Sequence, residues 1–315
     1  MVQSKSRLIF FNMPVKRVAM NKTTFSVIIP TYNRADSLNR ALRSLVSQTY
    51  KNFEVIVSDD GSTDHTEKVV SSFQNDLNIK YIWEENWGGP ARPRNNGIRA
   101  ASSEWICFLD SDDWWYPNKL STCYSYLENA ELIHHDLRLF KKGKKTIRRL
   151  KSRQLIPPVF VDLMTKGNAI FTSSCVVRKE ILYKAGLFDC DRNLISVEDF
   201  DLWLRISKIT DRFKYIPEVL GSYWIGNENI SNNSMLRFHQ TFSVYQKHFS
   251  QLSQTDRDQA EAFMSYLLGR IRQKSGFKKE AFNLFRKSFH SKKLEIKIKS
   301  LVLLLCLKLS FRDNI

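Results

Sequence analysis

Residues 105–115 read Trp-Ile-Cys-Phe-Leu-Asp-Ser-Asp-Asp-Trp-Trp. The apolar run Trp105 to Leu109 gives way at once to Asp110, Ser111, Asp112 and Asp113. A short apolar run bounded by polar turn residues is the pattern of a buried strand. Three carboxylates within four residues repel one another, and burying them is costly unless a cation compensates. A hard divalent ion such as Mg2+ or Mn2+ does so through oxygen ligands and usually also binds substrate phosphates. On these residues alone a second reading stays open: an acidic turn capping a helix that starts near Lys119 and Leu120.

Upstream the same punctuation recurs. Phe25 to Ile29 (FSVII) is a β-rich apolar run stopped by Pro30, with Thr31, Tyr32 and Asn33 behind it. Glu54 to Ser58 (EVIVS) is another, followed by Asp59, Asp60, Gly61 and Ser62, and Ile79 to Trp83 reads as a further strand. Ala35 to Gln48 carries Leu38, Ala41, Leu42, Leu45 and Val46 at helical spacing, with Asp36 or Ser37 as caps. Thr66 to Phe73 and Asn95 to Ala101 also read as helices. Strands alternating with helices imply parallel βαβ units, whose ligands bind beyond the carboxyl ends of the strands. Polar clusters at three such ends are expected to converge into one site. Taken alone, Asp59 and Asp60 equally fit a plain turn, with Asp64 capping the next helix.

Beyond Asp113 the alternation loosens. Leu132 to Phe140 fits a strand, while Phe160 to Lys166 and Lys179 to Ala185 fit helices. Glu198 to Ile209 (EDFDLWLRISKI) is an amphipathic helix opening on acids. Free amides and the helix dipole favour carboxylates there, which accounts for Glu198 and Asp199 without any function. A base held at that place beside an acceptor hydroxyl is also sound chemistry. From about residue 236 the chain is helix-rich and basic. The expected division is an arm over 1–19, an α/β catalytic domain over 20–235 and a helical region over 236–315. The domain's nucleotide half spans about 20–115 and its acceptor half about 116–235.

Of the 315 residues 43% are hydrophobic and 26% charged, enough apolar material for a sizeable core. The net charge of +17 draws nucleic acid, anionic lipid or phosphate-bearing substrates. Nine basic residues and no acid lie between Arg138 and Arg153. They read as a solvated hairpin or as an attractor for a phosphate-bearing acceptor or membrane. Thirteen Lys/Arg stand against three acids between Arg270 and Ile315. Within that stretch, Ser291 to Phe311 sets leucines and isoleucines among lysines. It fits a helix on the inner face of the cytoplasmic membrane, or one packed on the catalytic domain with its lysines in water. The five cysteines lack paired metal-ligand spacing, so reduced thiols in a cytoplasmic protein are expected. No run approaches the roughly 20 apolar residues that cross a bilayer.

The motifs PTYNR, SDDGSTD, ARPRNNGI, FLDSDDWWYPNKL and VEDFDLWLR, in that order from about Phe25 to Arg205, resemble the inverting glycosyltransferases of family 2. The resemblance implies a GT-A fold, a Rossmann-like mixed sheet with flanking helices and a variable acceptor half, here followed by a helical C-terminal region. It implies that Tyr32, Asp60, Asn86, Arg94 and Ser111 line the nucleotide pocket. Asp110 and Asp112 match the DxD motif that binds Mn2+ or Mg2+, with Asp113 contributing. Asp199 matches the catalytic base, supported by Glu198. The implied reaction moves a sugar from a nucleotide diphosphate-sugar, UDP-linked by family habit, to a hydroxyl with inversion. Members that build O-antigen or capsule use glycan or lipid-diphosphate-linked acceptors. One departure stands out. Many relatives carry an Arg and a His on a loop after the base, where they grip the diphosphate; in the stretch 221–231 Trp224 and Gly226 stand in their places. Either the cations come from elsewhere or the loop closes differently.

Other classes explain less. A nucleic-acid-binding protein would use the charge but leaves acids at three strand ends unexplained, and no nucleic-acid-binding signature is present. A nucleotidyltransferase leaves Glu198 and Asp199 without a role. An inactive sugar-nucleotide-binding or scaffold relative has no need of Asp110, Asp112 and Asp199 together. Residues 1–19 match nothing in the family, and the expectation is that translation starts at Met20 or that they form a loose arm.

Overall fold

The computed structural model describes residues 6–9, 23–141, 144–226, 234–291 and 293–312. Most of the amino-terminal arm and residues 227–231 of the stretch after Trp224 lie outside the described residues, as do the side chains of 142–147 in the basic segment. The chain divides into two compact units. The first comprises 1–155, 169–190 and 208–226, the second 156–168, 191–207 and 227–315.

The first unit contains β1 (Ser6–Ile9), β2 (Phe25–Thr31), β3 (Phe53–Asp59), β4 (Ile79–Glu84) and β5 (Trp105–Phe108). It continues with β6 (Trp114–Trp115), β7 (Leu132–Lys141), β8 (Lys144–Leu150), β9 (Val176–Arg178) and β10 (Phe213–Ile225). Among the described residues these form one sheet in the order β1-β4-β3-β2-β5-β9-β7-β10-β6, with β8 on β7. The four strands β4, β3, β2 and β5 are parallel. Every residue of β2, β3 and β5 is buried, as expected of strands covered on both faces. β1 joins β4 antiparallel, with Ser6 opposite Glu84. β9 runs antiparallel to both β5 and β7, and β10 runs parallel to β7 with register shifts after Ile216 and Val219. The mixed α/β architecture expected from the sequence is present.

Helices α1 (Ala35–Val46), α2 (Thr66–Ser72), α3 (Ala91–Ala100) and α4 (Lys119–Tyr124) follow strands of this sheet, and α6 (Lys179–Lys184) follows β9. Leu38, Ala41, Leu42 and Leu45 bury the apolar face of α1. Asp36 and Ser37 do not cap it; they lie inside the helix, whose N-cap residue Arg34 offers no acceptor. Asp64 fills the gap. Its Oδ2 accepts from the Ala35 amide at 3.1 Å and its Oδ1 from that of Thr66 at 3.0 Å, so one carboxylate serves two helix starts. Helix α3 begins before Asn95 because Pro93 falls in the first turn, where a missing N–H costs nothing.

The second unit holds α5 (Val159–Lys166), α7 (Glu198–Ile206), α8 (Ser234–Phe249), α9 (Gln254–Lys274), α10 (Lys278–Ser288) and α11 (Leu294–Arg312). Gly269 lets α10 approach α9, since a Cβ there would sit 2.6 Å from the Phe285 ring. Asp201 joins α7 to α8. Its fully buried carboxylate accepts from Arg205 Nε at 2.8 Å and lies 2.9 Å from both Lys247 Nζ and His248 Nε2. Burial alone pushes this carboxyl up, but the His248 hydrogen bond and the Arg205 and Lys247 charges hold it far below the usual range. Among the described residues no helix is long and apolar enough to cross a membrane.

The first unit also buries two imidazoles side by side on β7. His134 Nδ1 meets Ser152 Oγ at 2.7 Å and His135 Nδ1 meets Asp136 O at 2.8 Å. Burial lowers each to about 3, with Arg153 adding repulsion at His134 and Lys119 at His135. Below the ordinary value of 6.5 the unfolded chain takes up protons that the folded chain refuses. Stability is therefore full above that pH and drains away as the pH falls toward 3. His135→Leu is expected to flatten this acid limb. Thermal midpoints followed from neutral to mildly acid pH should fall more slowly in the variant than in the wild type, and parallel curves would show that His135 protonates freely in the fold.

Candidate functional site

The carboxyl ends of β3, β2 and β5 are neighbours in the sheet, so their three polar clusters meet. Asp60 N donates to Thr31 O at 2.9 Å, and Leu109 N to Ile28 O at 3.0 Å. Asn33, at φ +48°, ties the first two clusters: its amide donates to Ser62 Oγ and its Oδ1 accepts from Thr63 N, both at 2.8 Å. Tyr32 is exposed beside it. Asp59 is spent internally, accepting from Tyr81 Oη at 2.5 Å and Ser62 N at 2.8 Å. Asp60 organises the loop after β4. Its two oxygens accept from Trp87 N and Gly88 N at 2.9 Å each, while Asn86 Nδ2 donates to its main-chain oxygen at 2.8 Å. Burial raises the Asp60 carboxyl despite these amides.

The acidic turn after β5 is the electrostatic centre. Arg94 Nη2 reaches Asp110 Oδ1 at 2.7 Å, and Arg34 Nη1 reaches Asp112 Oδ2 at 2.8 Å. Arg40 Nη2 donates to the Asp112 main-chain oxygen at 2.6 Å. Asp113 Oδ1 accepts from the Trp224 amide at 2.8 Å. Ser173 Oγ accepts from Asp110 N at 3.0 Å, and Ser111 is buried in the turn. Burial first, and then the neighbouring Asp110 charge, raises the Asp112 carboxyl. Asp113 is driven up harder, by complete burial and then by Asp112 and Asp110.

These donors suit a divalent cation. Asp113 Oδ2 is buried and accepts no hydrogen bond among the described residues. The oxygens are hard, and the crowding that raises two of the carboxyls is what a doubly charged ion relieves. Among the described residues no three His, Cys, Asp or Glu side chains form a cage of their own. The arrangement matches an ion that takes one or two carboxylates from the protein and the rest of its shell from water and phosphate oxygens.

The first unit thus brings together Tyr32, Asp60, Asn86, Arg94, Ser111, Asp110, Asp112 and Asp113. Glu198 and Asp199 belong to the second unit, in the first turn of α7. Glu198 is buried and Asp199 half-buried, with Asp199 Oδ1 accepting from Phe200 N at 2.6 Å. The sequence reading missed Arg34, Arg40 and Ser173. Arg34 had a local signal, a cation directly behind a strand-end cluster. Arg40 reads only as part of the polar face of α1, and Ser173 reaches the turn from a segment some sixty residues downstream.

Residues 26–213 match the family described as Glycosyl transferase family 2. An uncharacterized glycosyltransferase of Rickettsia conorii is 34% identical over 198 residues, 62% of this chain and 32% of that protein. The match therefore spans about a third of that relative's length. The amylovoran biosynthesis glycosyltransferase AmsB of Erwinia amylovora is 32% identical over 215 residues, 65% of this chain and 70% of that protein. Among solved structures, S. aureus TarS 1-349 in complex with UDP-GlcNAc matches with a TM-score of 0.66 at 19% identity, covering 93% of this chain and 92% of that one. At that identity the likeness is one of fold.

Gly61 offers a direct test of the strand-end geometry. It holds φ +86°, and a Cβ there would stand 2.7 Å from the Asn86 main-chain nitrogen. Gly61→Ala is expected to cost about 1–3 kcal/mol and to displace the 86–88 loop. Denaturant titration beside calorimetric titration with UDP reads both effects; unchanged stability and affinity together would refute this geometry.

Proposed function

Since the chain belongs to glycosyltransferase family 2, we propose that it transfers a sugar from a nucleotide diphosphate-sugar to a hydroxyl of a glycan or lipid-diphosphate-linked acceptor, inverting the anomeric carbon. The observation that carries the reading is the Asp110–Asp113 turn, set at the strand ends among Arg34, Arg40 and Arg94. A UDP-linked donor is supported by the UDP-GlcNAc that TarS holds in its complex, and a role in bacterial surface polysaccharide assembly by the amylovoran biosynthesis named for AmsB.

In this reading Tyr32, Asp60, Asn86 and Arg94 hold the nucleoside end, with Ser111 beneath it. Asp112 and Asp113, with Asp110, hold Mn2+ or Mg2+. The ion, when bound, neutralises charge growing on the departing diphosphate. Arg34 and Arg94 add positive charge on the same side. Asp199 takes the proton of the acceptor hydroxyl as its oxygen attacks the anomeric carbon from the face opposite the leaving group. Glu198 supports Asp199. One displacement of this kind inverts the centre.

Purified protein offered UDP-, GDP- and dTDP-sugars with Mn2+ or Mg2+ is expected to release one free nucleotide slowly. EDTA and Asp112→Ala should abolish the release. Asp199→Asn should retain donor binding and lose transfer by about a hundredfold or more, the scale of a general base. If no donor is bound or turned over under any metal, even with a lipid-linked acceptor, a non-catalytic scaffold role replaces this one.

The proposal includes peripheral contact with the cytoplasmic face of an anionic membrane. On α11, Leu294, Ile298, Leu301, Val302 and Leu305 are exposed and follow helical spacing, while Ile296 and Leu307 are buried on the other side. Exposed Lys297, Lys299 and Lys308 accompany that stripe. Lysines beside an apolar stripe suit a surface of anionic headgroups. The wild type is expected to float with vesicles containing phosphatidylglycerol and not with pure phosphatidylcholine, and Ile298→Glu with Leu305→Glu should leave it in the pellet fraction. Equal recovery of both proteins with either lipid would end this part of the proposal.

A further inference from the structure

Trp224, near the end of β10, packs against a cation. Its ring centroid lies 4.6 Å from the Arg40 guanidinium carbon, and the Trp114 ring meets the same group at 4.7 Å. Phe140 braces both indoles, stacked on Trp224 at 5.6 Å and edge-on to Trp114 at 5.1 Å. Arg40 comes from α1, Trp114 from β6, Phe140 from β7 and Trp224 from β10. The two clamped partners also fix the acidic turn. Arg40 Nη2 donates to the Asp112 main-chain oxygen at 2.6 Å, and the Trp224 amide to Asp113 Oδ1 at 2.8 Å.

We infer that Arg40, held by Trp114 and Trp224, is a positioning residue that orients the Asp112 and Asp113 carboxylates and keeps positive charge behind the turn. The inference rests on the metal-dependent reading of that turn. Arg34 and Arg94 pair with carboxylate oxygens, the very atoms a divalent ion must engage. Arg40 instead holds a main-chain carbonyl, so its charge stays in place when the carboxylates turn to a ligand. A planar guanidinium can stack on aromatic rings and donate from its edge at once; an ammonium is a point charge without that fork. Groups that orient metal-binding carboxylates from behind are the ones whose loss weakens metal binding without removing a ligand.

The test is calorimetric titration with UDP across a Mn2+ series, on the full chain, for the wild type, Arg40→Lys, Trp224→Phe and the double variant. Thermal midpoints without metal are measured in parallel. Arg43→Lys, an exposed arginine of the same helix bonded to Asn39, serves as the control. Arg40→Lys should raise the Mn2+ concentration needed for half-maximal UDP binding by about 10- to 100-fold, well beyond any change in metal-free UDP binding. Trp224→Phe should shift the requirement in the same direction, and the double variant should fall short of the summed effects because the two act as one unit. Arg43→Lys should change nothing. If Arg40→Lys fails to fold, Trp224→Phe, which keeps a ring and its amide, carries the test. An unchanged Mn2+ requirement in the folded variants overturns the inference while leaving the metal reading intact. So does a loss of UDP binding that is equal with and without Mn2+. Indifference of the wild type itself to Mn2+ removes the metal reading and the inference together.

Discussion

The structure turns on one electrostatic constraint, the mutual repulsion of Asp110, Asp112 and Asp113 in a turn that is largely buried. Charges brought that close, out of water, are tolerated only where cations or donated hydrogen bonds answer them. The fold answers with arginines from two helices: Arg34 and Arg40 at and within α1, and Arg94 in α3. α1 follows β2, which flanks β5, and α3 follows β4, two strands beyond β2. The βαβ repeat therefore delivers positive charge to the place where the carboxylates are exposed to one another. The compensation remains incomplete, since Asp112 and Asp113 are still held above the usual carboxylate range and Asp113 keeps one oxygen without a donor among the described residues. An acidic site left short of positive charge is poised to bind a cation.

That arrangement shows what sequence can and cannot carry. β2, β3 and β5 were legible because buried parallel strands are continuous apolar runs cut by polar turns. Once they are neighbours, convergence of the clusters behind them follows. In the far half of the sheet β7 was legible, as the run Leu132 to Phe140, but its neighbours were not, for a different reason. β9 is three residues long, and its place between β5 and β7 is fixed by partners remote in sequence, not by any period of its own. Ser173 and Trp224 enter the acidic turn along that same non-local route. Asp36 and Ser37 look like caps of α1 because the rule for helix starts is local, whereas the acceptor that fills the role, Asp64, comes from the turn after the next strand. Arg40 illustrates the same limit. On a helix wheel it is one more polar residue, and only its contacts with the two indoles give it a role.

The sequence allows two readings of α11, a helix packed on the catalytic domain or a helix on a membrane surface, and the structure shows it partly buried within the second unit. Its residues are apolar around most of the circumference, so burying Ile296 and Leu307 against the second unit still leaves Ile298, Val302 and Leu305 in contact with water. A helix that is apolar on one side only has to choose between these fates. This one does not, and in the proposed membrane contact its lysines would favour anionic headgroups over neutral ones.

The acids at the start of α7 make the complementary point about the second unit. Glu198, Asp199 and Asp201 share the first turn and the same favourable helix dipole. Their environments separate them. Asp201 is fully buried and committed to Arg205, Lys247 and His248, which hold it ionised and make it an anchor between α7 and α8. A carboxylate stabilised so strongly as an anion is a poor acceptor of a proton, whatever substrate approaches it. Asp199 is half-buried instead, and its Oδ1 accepts from the Phe200 amide at 2.6 Å. In the proposed reaction the proton therefore goes to an acid of this turn other than Asp201.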